Sequence, residues 1–183
     1  MKKLRNTIAI AALLLPGAVQ QAYGQFAATG TTTLSVAVAP EAAISVTTGT
    51  TSLTTGSTIF GSSYGGTTSF TYKIRTSAAT STLTLEITTD FSTGGVTNKP
   101  SVAAPPTASD KLQYTCSVTA PGTGCASATT ASTSAATSVA TFPATSSSAN
   151  AGNGGSVTWS LTDDPVYPVG TYTATATFTI SAS

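Results

Sequence analysis

Between Tyr172 and Ile180 threonine falls at every second position, with Tyr172, Ala174, Ala176, Phe178 and Ile180 as the alternating partners. Side chains of a β-strand point alternately to opposite faces, so this spacing predicts one strand with an apolar face turned to a core and a threonine face turned to water. β-Branched threonine suits such a half-solvated pleated surface. The same period of two recurs in six further segments. Residues 33–39 carry Leu34, Val36 and Val38 on the apolar side, and 43–47 carry Ile44 and Val46. Residues 68–75 place Phe70, Tyr72 and Ile74 inward, with Thr71, Lys73 and Arg75 outward. Residues 81–89 bury Leu83, Leu85 and Ile87 and turn Thr84, Glu86 and Thr88 to water. Residues 111–118 bury Leu112, Tyr114, Cys116 and Val118, and 156–162 bury Val157, Trp159 and Leu161. Weaker alternation marks 58–60 and 138–142.

Turn-forming residues separate these segments: Gly65-Gly66, Gly94-Gly95, the Pro105-Pro106 stretch, Gly152 to Gly155 and Asp163-Asp164-Pro165. Helical periodicity over three turns is absent from residues 25–183. Short strands with one apolar and one Ser/Thr face predict an all-β, antiparallel Greek-key β-sandwich of immunoglobulin-like type, with a jelly roll or small barrel as the alternative. Residues 126–150 are almost entirely Ala, Ser and Thr, with Val139 and Phe142 inside them. That low-complexity stretch reads either as a long surface excursion open to O-glycosylation or as a short edge strand flanked by loops, and the second is favoured.

The N-terminus changes the compartment. Lys2, Lys3 and Arg5 precede an apolar run from Ile8 to Leu15, and Ala22 and Gly24 stand at the −3 and −1 positions of a cleavage site. This is the layout of a secretory signal over residues 1–24, too short for a bilayer that needs ~20 apolar residues. The expected mature chain, 25–183, is a single domain with no membrane span after signal cleavage, placed in the periplasm, at the cell surface or outside the cell. Losing Lys2, Lys3 and Arg5 leaves four basic residues against six acidic ones, a net charge of −2. Lys73, Arg75, Lys99 and Lys111 are too sparse to track a phosphate backbone, which excludes nucleic acid as a partner.

Cys116 and Cys125 are the only cysteines. An even count in an exported chain predicts a disulfide, here tying the end of one strand to the loop or strand that follows the Ala120–Gly124 turn. Redox or metal-binding use would need closer spacing or further ligands.

The chain has no histidine, so Ser-His-Asp, Cys-His and His-ligated metal arrangements are excluded. Its carboxylates are Glu41, Glu86, Asp90, Asp110, Asp163 and Asp164. Asp163-Asp164 reads as a solvated turn, with a Ca²⁺ site as the sharper alternative. Trp159 reads as a core residue before a sugar-stacking platform. Tyr64, in Ser-Ser-Tyr-Gly-Gly, reads as a loop tyrosine able to act as a surface contact. No catalytic, cofactor-binding or metal residue is assigned, and no enzyme activity is expected.

The closing segment, Pro168-Val-Gly-Thr-Tyr172 followed by the alternating strand to Ile180, resembles the end of secreted bacterial β-sandwich modules. It is most similar to spore-coat-U-like subunits of archaic chaperone–usher pili, and also to bacterial immunoglobulin-like surface repeats. The pilin resemblance implies that subunits polymerise by donating an N-terminal strand into a groove of a neighbour. Residues 25–39 would then be the donor, with Leu34, Val36 and Val38 as the inserted side chains and identical or related subunits as partners. The expected function is a non-enzymatic structural subunit of the bacterial surface or extracellular matrix, in its sharpest form fimbria-like. The alternative is a secreted adhesin or carbohydrate-binding module.

Overall fold

The computed structural model describes residues 29–56, 60, 63–78, 80–92 and 95–182. The expected signal, 1–24, lies outside them, as does most of the weak segment at 58–60. The chain divides into two units, Met1–Val36 and Ala37–Ser183, and every strand belongs to the second. The strands are β1 (Glu41–Val46), β2 (Thr54–Thr55), β3 (Ser63–Arg75), β4 (Thr82–Ser92), β5 (Gln113–Val118), β6 (Thr123–Gly124), β7 (Thr129–Thr130), β8 (Thr137–Thr141), β9 (Asn153–Thr162) and β10 (Thr173–Ser181). No helix occurs among the described residues.

All pairings are antiparallel and build two sheets. The first has the order β1-β3-β9-β5-β7, with β2 also on β3; the second has the order β10-β4-β8-β6. Their apolar faces meet as a β-sandwich, as the period-two patterns predict. Phe70, Tyr72 and Ile74 of β3, Leu83, Leu85 and Ile87 of β4, Tyr114 of β5, and Val157, Trp159 and Leu161 of β9 are buried together. Lys73, Arg75 and Thr173 are exposed as expected, whereas Glu86 is half-buried.

Two glycines allow close approaches. Gly155 stands opposite Phe70, and a Cβ there would come within 2.4 Å of the Phe70 ring, so the ring lies over bare backbone. At Gly66 a Cβ would meet the Ser52 carbonyl at 2.7 Å; its absence lets residues 51–53 pass over β3 and divide one sheet edge into β1 and β2. Polar groups in the core are satisfied. The Tyr72 hydroxyl donates to the Thr119 carbonyl at 2.5 Å and accepts from the Gly122 N–H at 3.0 Å, joining β3 to the turn before β6. The Trp159 ring N–H donates to Thr68 Oγ1 at 2.8 Å, and its indole meets Tyr114 edge-on at 5.6 Å. Trp159 is thus a core residue.

The low-complexity stretch contributes more than an edge strand. Its β8 lies between β4 and β6, and Ala131, Val139, Ala140 and Phe142 are buried. Beyond it, Ser146 and Ser148 bond to the backbone of Thr76 and Ile74, extending the sheet past the end of β9.

Two expectations are corrected. Residues 33–39 form no strand, and Leu34, Val36 and Val38 are not core: they are 91%, 85% and 60% exposed. Tyr172, Phe178 and Ile180 face inward as the alternation requires, but they are only half-buried. Both differences arise at the edges of the sandwich.

Candidate functional site

The sandwich closes unequally at its two sides. On one side the sheets end in β7 and β6, two residues each, and very short edge strands are one way proteins blunt an edge. The Cys116–Cys125 disulfide, with Cα atoms 5.2 Å apart, lies on this side. It ties β5 of the first sheet to the residue after β6 of the second, and so staples sheet to sheet.

On the other side the edges are long. β1 pairs only with β3, and β10 only with β4, among the described residues. These two strands come within 8 Å of each other, Cα to Cα, across the gap between sheets. Their inward faces carry Ala42 and Ile44 from β1 and Ala174, Ala176, Phe178 and Ile180 from β10, all half-buried, with Val46 exposed. Most of these inward residues are backed by a buried one: Ala42 opposes Ile74, Ile44 opposes Tyr72, Ala176 opposes Ile87, Phe178 opposes Leu85 and Ile180 opposes Leu83. Phe178 also reaches across to Phe70, with ring centroids 5.7 Å apart. Among the described residues the core therefore continues to this side and stops uncovered, between two strands whose outer N–H and C=O groups have no ladder.

Immediately before β1 stands the segment that sequence reading singled out. Leu34, Val36 and Val38 keep period-two spacing and are the most exposed run of large apolar side chains in the described chain, while no charge occurs between Gln25 and Pro40. The junction with β1 is held firmly. Arg75 donates from Nε to the Ala39 carbonyl at 3.0 Å and from Nη2 to Glu41 Oε2 at 2.9 Å. The ion pair is exposed and adds little stability, but the two bonds together fix the chain's path into β1.

The other candidates resolve into structure. Asp163 is buried rather than solvated, and the Tyr64 hydroxyl bonds to it; that bond, with burial, raises the Tyr64 pKa. Tyr64 itself lies in β3, opposite Thr55 and Leu161, and not in a loop. Asp164 accepts from the Thr107 hydroxyl at 2.6 Å and the Val166 N–H at 2.7 Å, which hold its carboxyl below the ordinary range. Asp110 is buried and accepts from Tyr167 at 2.9 Å; burial pushes its pKa up, and Asp164 nearby adds to this. These carboxylates hold the β9–β10 connection in shape. Among the described residues no group of His, Cys, Asp or Glu is arranged to hold a metal ion, and no helix is long and apolar enough to cross a membrane.

No family model, curated protein or solved structure matches the chain. The open side between β1 and β10 is therefore read from its own chemistry. Sequence reasoning singled out residues 33–39 but did not anticipate the half-buried apolar strip between β1 and β10. Its one local sign was Ala at positions 174 and 176, small residues where a covered core strand carries larger ones.

Proposed function

We propose that this protein is an exported structural subunit that assembles copy to copy by strand addition. In this reading residues 33–39 of one copy lie in the open side between β1 and β10 of the next, with Leu34, Val36 and Val38 filling the half-buried apolar strip. The carrying observation is the pairing, in one chain, of an uncovered apolar edge and an unpaired, uncharged apolar arm of matching period. Strand addition takes affinity from main-chain hydrogen bonds and specificity from alternate side chains in pockets, and the small Ala174 and Ala176 leave room for such side chains.

Local backbone chemistry favours donation between copies over insertion into the arm's own groove. Folding back onto β1 would require a two-residue hairpin at Ala39-Pro40. The tight hairpin turns need positive φ at the first or at both central positions, which Pro40 cannot adopt and which Ala39, preceding a proline, strongly disfavours. The inter-sheet disulfide and the predicted export signal agree with an extracellular or periplasmic setting.

A complementation experiment tests the reading. A chain carrying Leu34→Asp and Val36→Asp keeps its groove and loses its arm. A chain carrying Ala176→Lys keeps its arm, while the lysine stem occupies the groove and its ammonium reaches water through the open edge. Wild type should form concentration-dependent oligomers in size-exclusion chromatography with light scattering. Each variant alone should be monomeric, and an equimolar mixture should give heterodimers and nothing larger. A wild type that stays monomeric at high concentration, or a mixture that yields no heterodimer, refutes strand addition.

A further inference from the structure

The strand registers define two ends of the sandwich. One end gathers Ser63, Thr162 and Ser92, and so carries the β9–β10 connection. The opposite end gathers Glu41, Arg75, Thr82 and Ser181. The connection at the first end reads Pro165-Val-Tyr-Pro-Val-Gly170, and its valines project: Val166 is 46% exposed and Val169 fully so. It is nevertheless held at several points. Tyr167 N–H donates to the Asp164 carbonyl at 3.0 Å, its hydroxyl donates to buried Asp110, and the Tyr172 hydroxyl donates to the Pro168 carbonyl at 2.6 Å. A loop fixed by its polar groups while its apolar tips face water is a preformed knob, whose ordering cost is already met before any contact.

At the opposite end a cleft of about 640 Å³ is lined by Ala42, Ile74, Lys73, Arg75, Ser148 and Ala149, among others. Its wall includes the Arg75–Glu41 pair that anchors Ala39.

We infer that the Val166–Val169 knob of one copy seats in the Arg75–Ala149 cleft of the next, forming a second, body-to-body contact along the assembly. The polarity rests on the strand-addition reading. A donated arm running antiparallel to β10 brings its C-terminal residue, Ala39, to the knob end of the acceptor. Seven residues of extended chain span roughly 23 Å at about 3.3 Å each, close to the length of the groove. Only Pro40 then separates the donated strand from β1 of the donor, so the donor's cleft end must abut the acceptor's knob end. Charge agrees: ionised Asp164 stands at the base of the knob and Lys73 in the cleft. A patch that fits a pocket elsewhere on the same molecule makes a heterologous contact, which repeats without closing and gives an open polymer.

Cysteine trapping tests the contact. Full-length chains carrying Val169→Cys and chains carrying Ala149→Cys, both exposed positions, are mixed, oxidised and mapped by non-reducing electrophoresis and mass spectrometry. The 169–149 heteroconjugate should dominate the mixture and be lost when Val166→Asp is added to the first chain. Oligomers that depend on Leu34 and Val36 but yield no heteroconjugate overturn the knob contact and leave strand addition standing. A heteroconjugate that persists with Leu34→Asp and Val36→Asp supports the knob contact and shows that it forms without the arm. Conjugates of 169 with 169 as the main product, or neither oligomer nor conjugate, overturn the knob contact outright.

Discussion

If the side between β1 and β10 is built to receive an extended strand, a free peptide of the arm's sequence should occupy it. The test uses the full-length chain with Leu34→Asp and Val36→Asp, whose groove is intact, and a synthetic peptide spanning residues 30–39. In the chain Leu34, Val36 and Val38 are 91%, 85% and 60% exposed, so most of their apolar surface remains to be buried. Fully burying a Leu or Val side chain is worth about 1.5–3 kcal/mol, so the three contribute roughly 4–7 kcal/mol. Main-chain bonds to an unpaired edge add about 0.5–1.5 kcal/mol each. Lost translational and rotational freedom and the ordering of the peptide oppose this by about 4–15 kcal/mol. A Kd on the order of 1 μM, near −8 kcal/mol, lies within the range these terms span and sets the scale of the titration.

A ligand that binds only the folded state at about 100 times its Kd stabilises by about 2.7 kcal/mol. For a chain of this size each kcal/mol moves Tm by roughly 2–4 °C, so saturating peptide should raise Tm by about 5–10 °C. A peptide with Leu34→Asp removes the largest apolar group and asks the groove to desolvate a carboxylate, so it should give no shift. Differential scanning fluorimetry over a peptide titration reads both. A flat titration to roughly 100 μM, about 100 times that Kd, refutes the groove; equal shifts from both peptides refute side-chain recognition within it.

Trp159→Ala should cost about 3–5 kcal/mol in urea unfolding, as large aromatic truncations do, because the indole is buried against Tyr114. Trp159→Phe should cost closer to 1 kcal/mol, since it loses one hydrogen bond while the Thr68 hydroxyl keeps Thr51 at 2.6 Å. A loss below about 1 kcal/mol for the alanine variant would place the tryptophan outside the core and revive a binding-surface role for it. Asp90 should set an acid limb of stability. Burial raises its pKa, but bonds from Ser101 Oγ and from the Val102, Phe91 and Ala103 N–H groups outweigh that and hold it below the ordinary value. A depressed folded-state pKa contributes stability that is present above the unfolded value of about 4 and lost as pH falls through the folded one. Urea melts between pH 2 and 7 should show this loss in wild type and a flatter curve in Asp90→Asn; identical acid limbs would contradict the assignment.

The period-two pattern carried most of the architecture because it reports directly which face of a strand meets the core. It located β1, β3, β4, β5, β9 and β10, and placed Phe70, Tyr72, Leu85, Val157 and Trp159 inside. Alternation is silent about neighbours along the edge. Tyr172, Phe178 and Ile180 have the same spacing as Leu83, Leu85 and Ile87; what separates half-buried from buried is that β4 has β10 and β8 beside it, whereas β10 has only β4 among the described residues. Residues 33–39 show the converse, with strand periodicity and no strand partner among the described residues. The Ala/Ser/Thr stretch was under-read because composition masks a short period: Val139 and Phe142 are isolated, and alanines at 131 and 140 fill core positions only because β4 passes close by. Tyr64 was misplaced because Gly65-Gly66 looks like a turn, whereas Gly66 is small so that residues 51–53 can cross above it. Asp163 was read as solvated because nothing local announces a tyrosine about a hundred residues earlier in the chain as its partner.

The edges themselves give the last step. Long, flat, uncharged edge strands invite pairing with any passing chain, and proteins that remain monomeric blunt them with lysine, proline, strong bulges or a covering loop. The disulfide side obeys that rule, ending in two-residue strands. On the other side β10 carries no charge from Thr173 to Ser181, and its register irregularities lie only near Thr173–Ala176, so Phe178 and Ile180 sit on a regular, unprotected stretch. β1 contributes Glu41 alone, and that carboxylate is engaged by Arg75 at the root of the arm. A chain that blunts one side of its sandwich, leaves the other bare among the described residues, and carries an uncharged apolar segment with strand spacing fits the strand-addition reading proposed above. Random aggregation would require no such arm. An occupant supplied by the next copy uses the bare edge and the arm together, and leaves neither exposed.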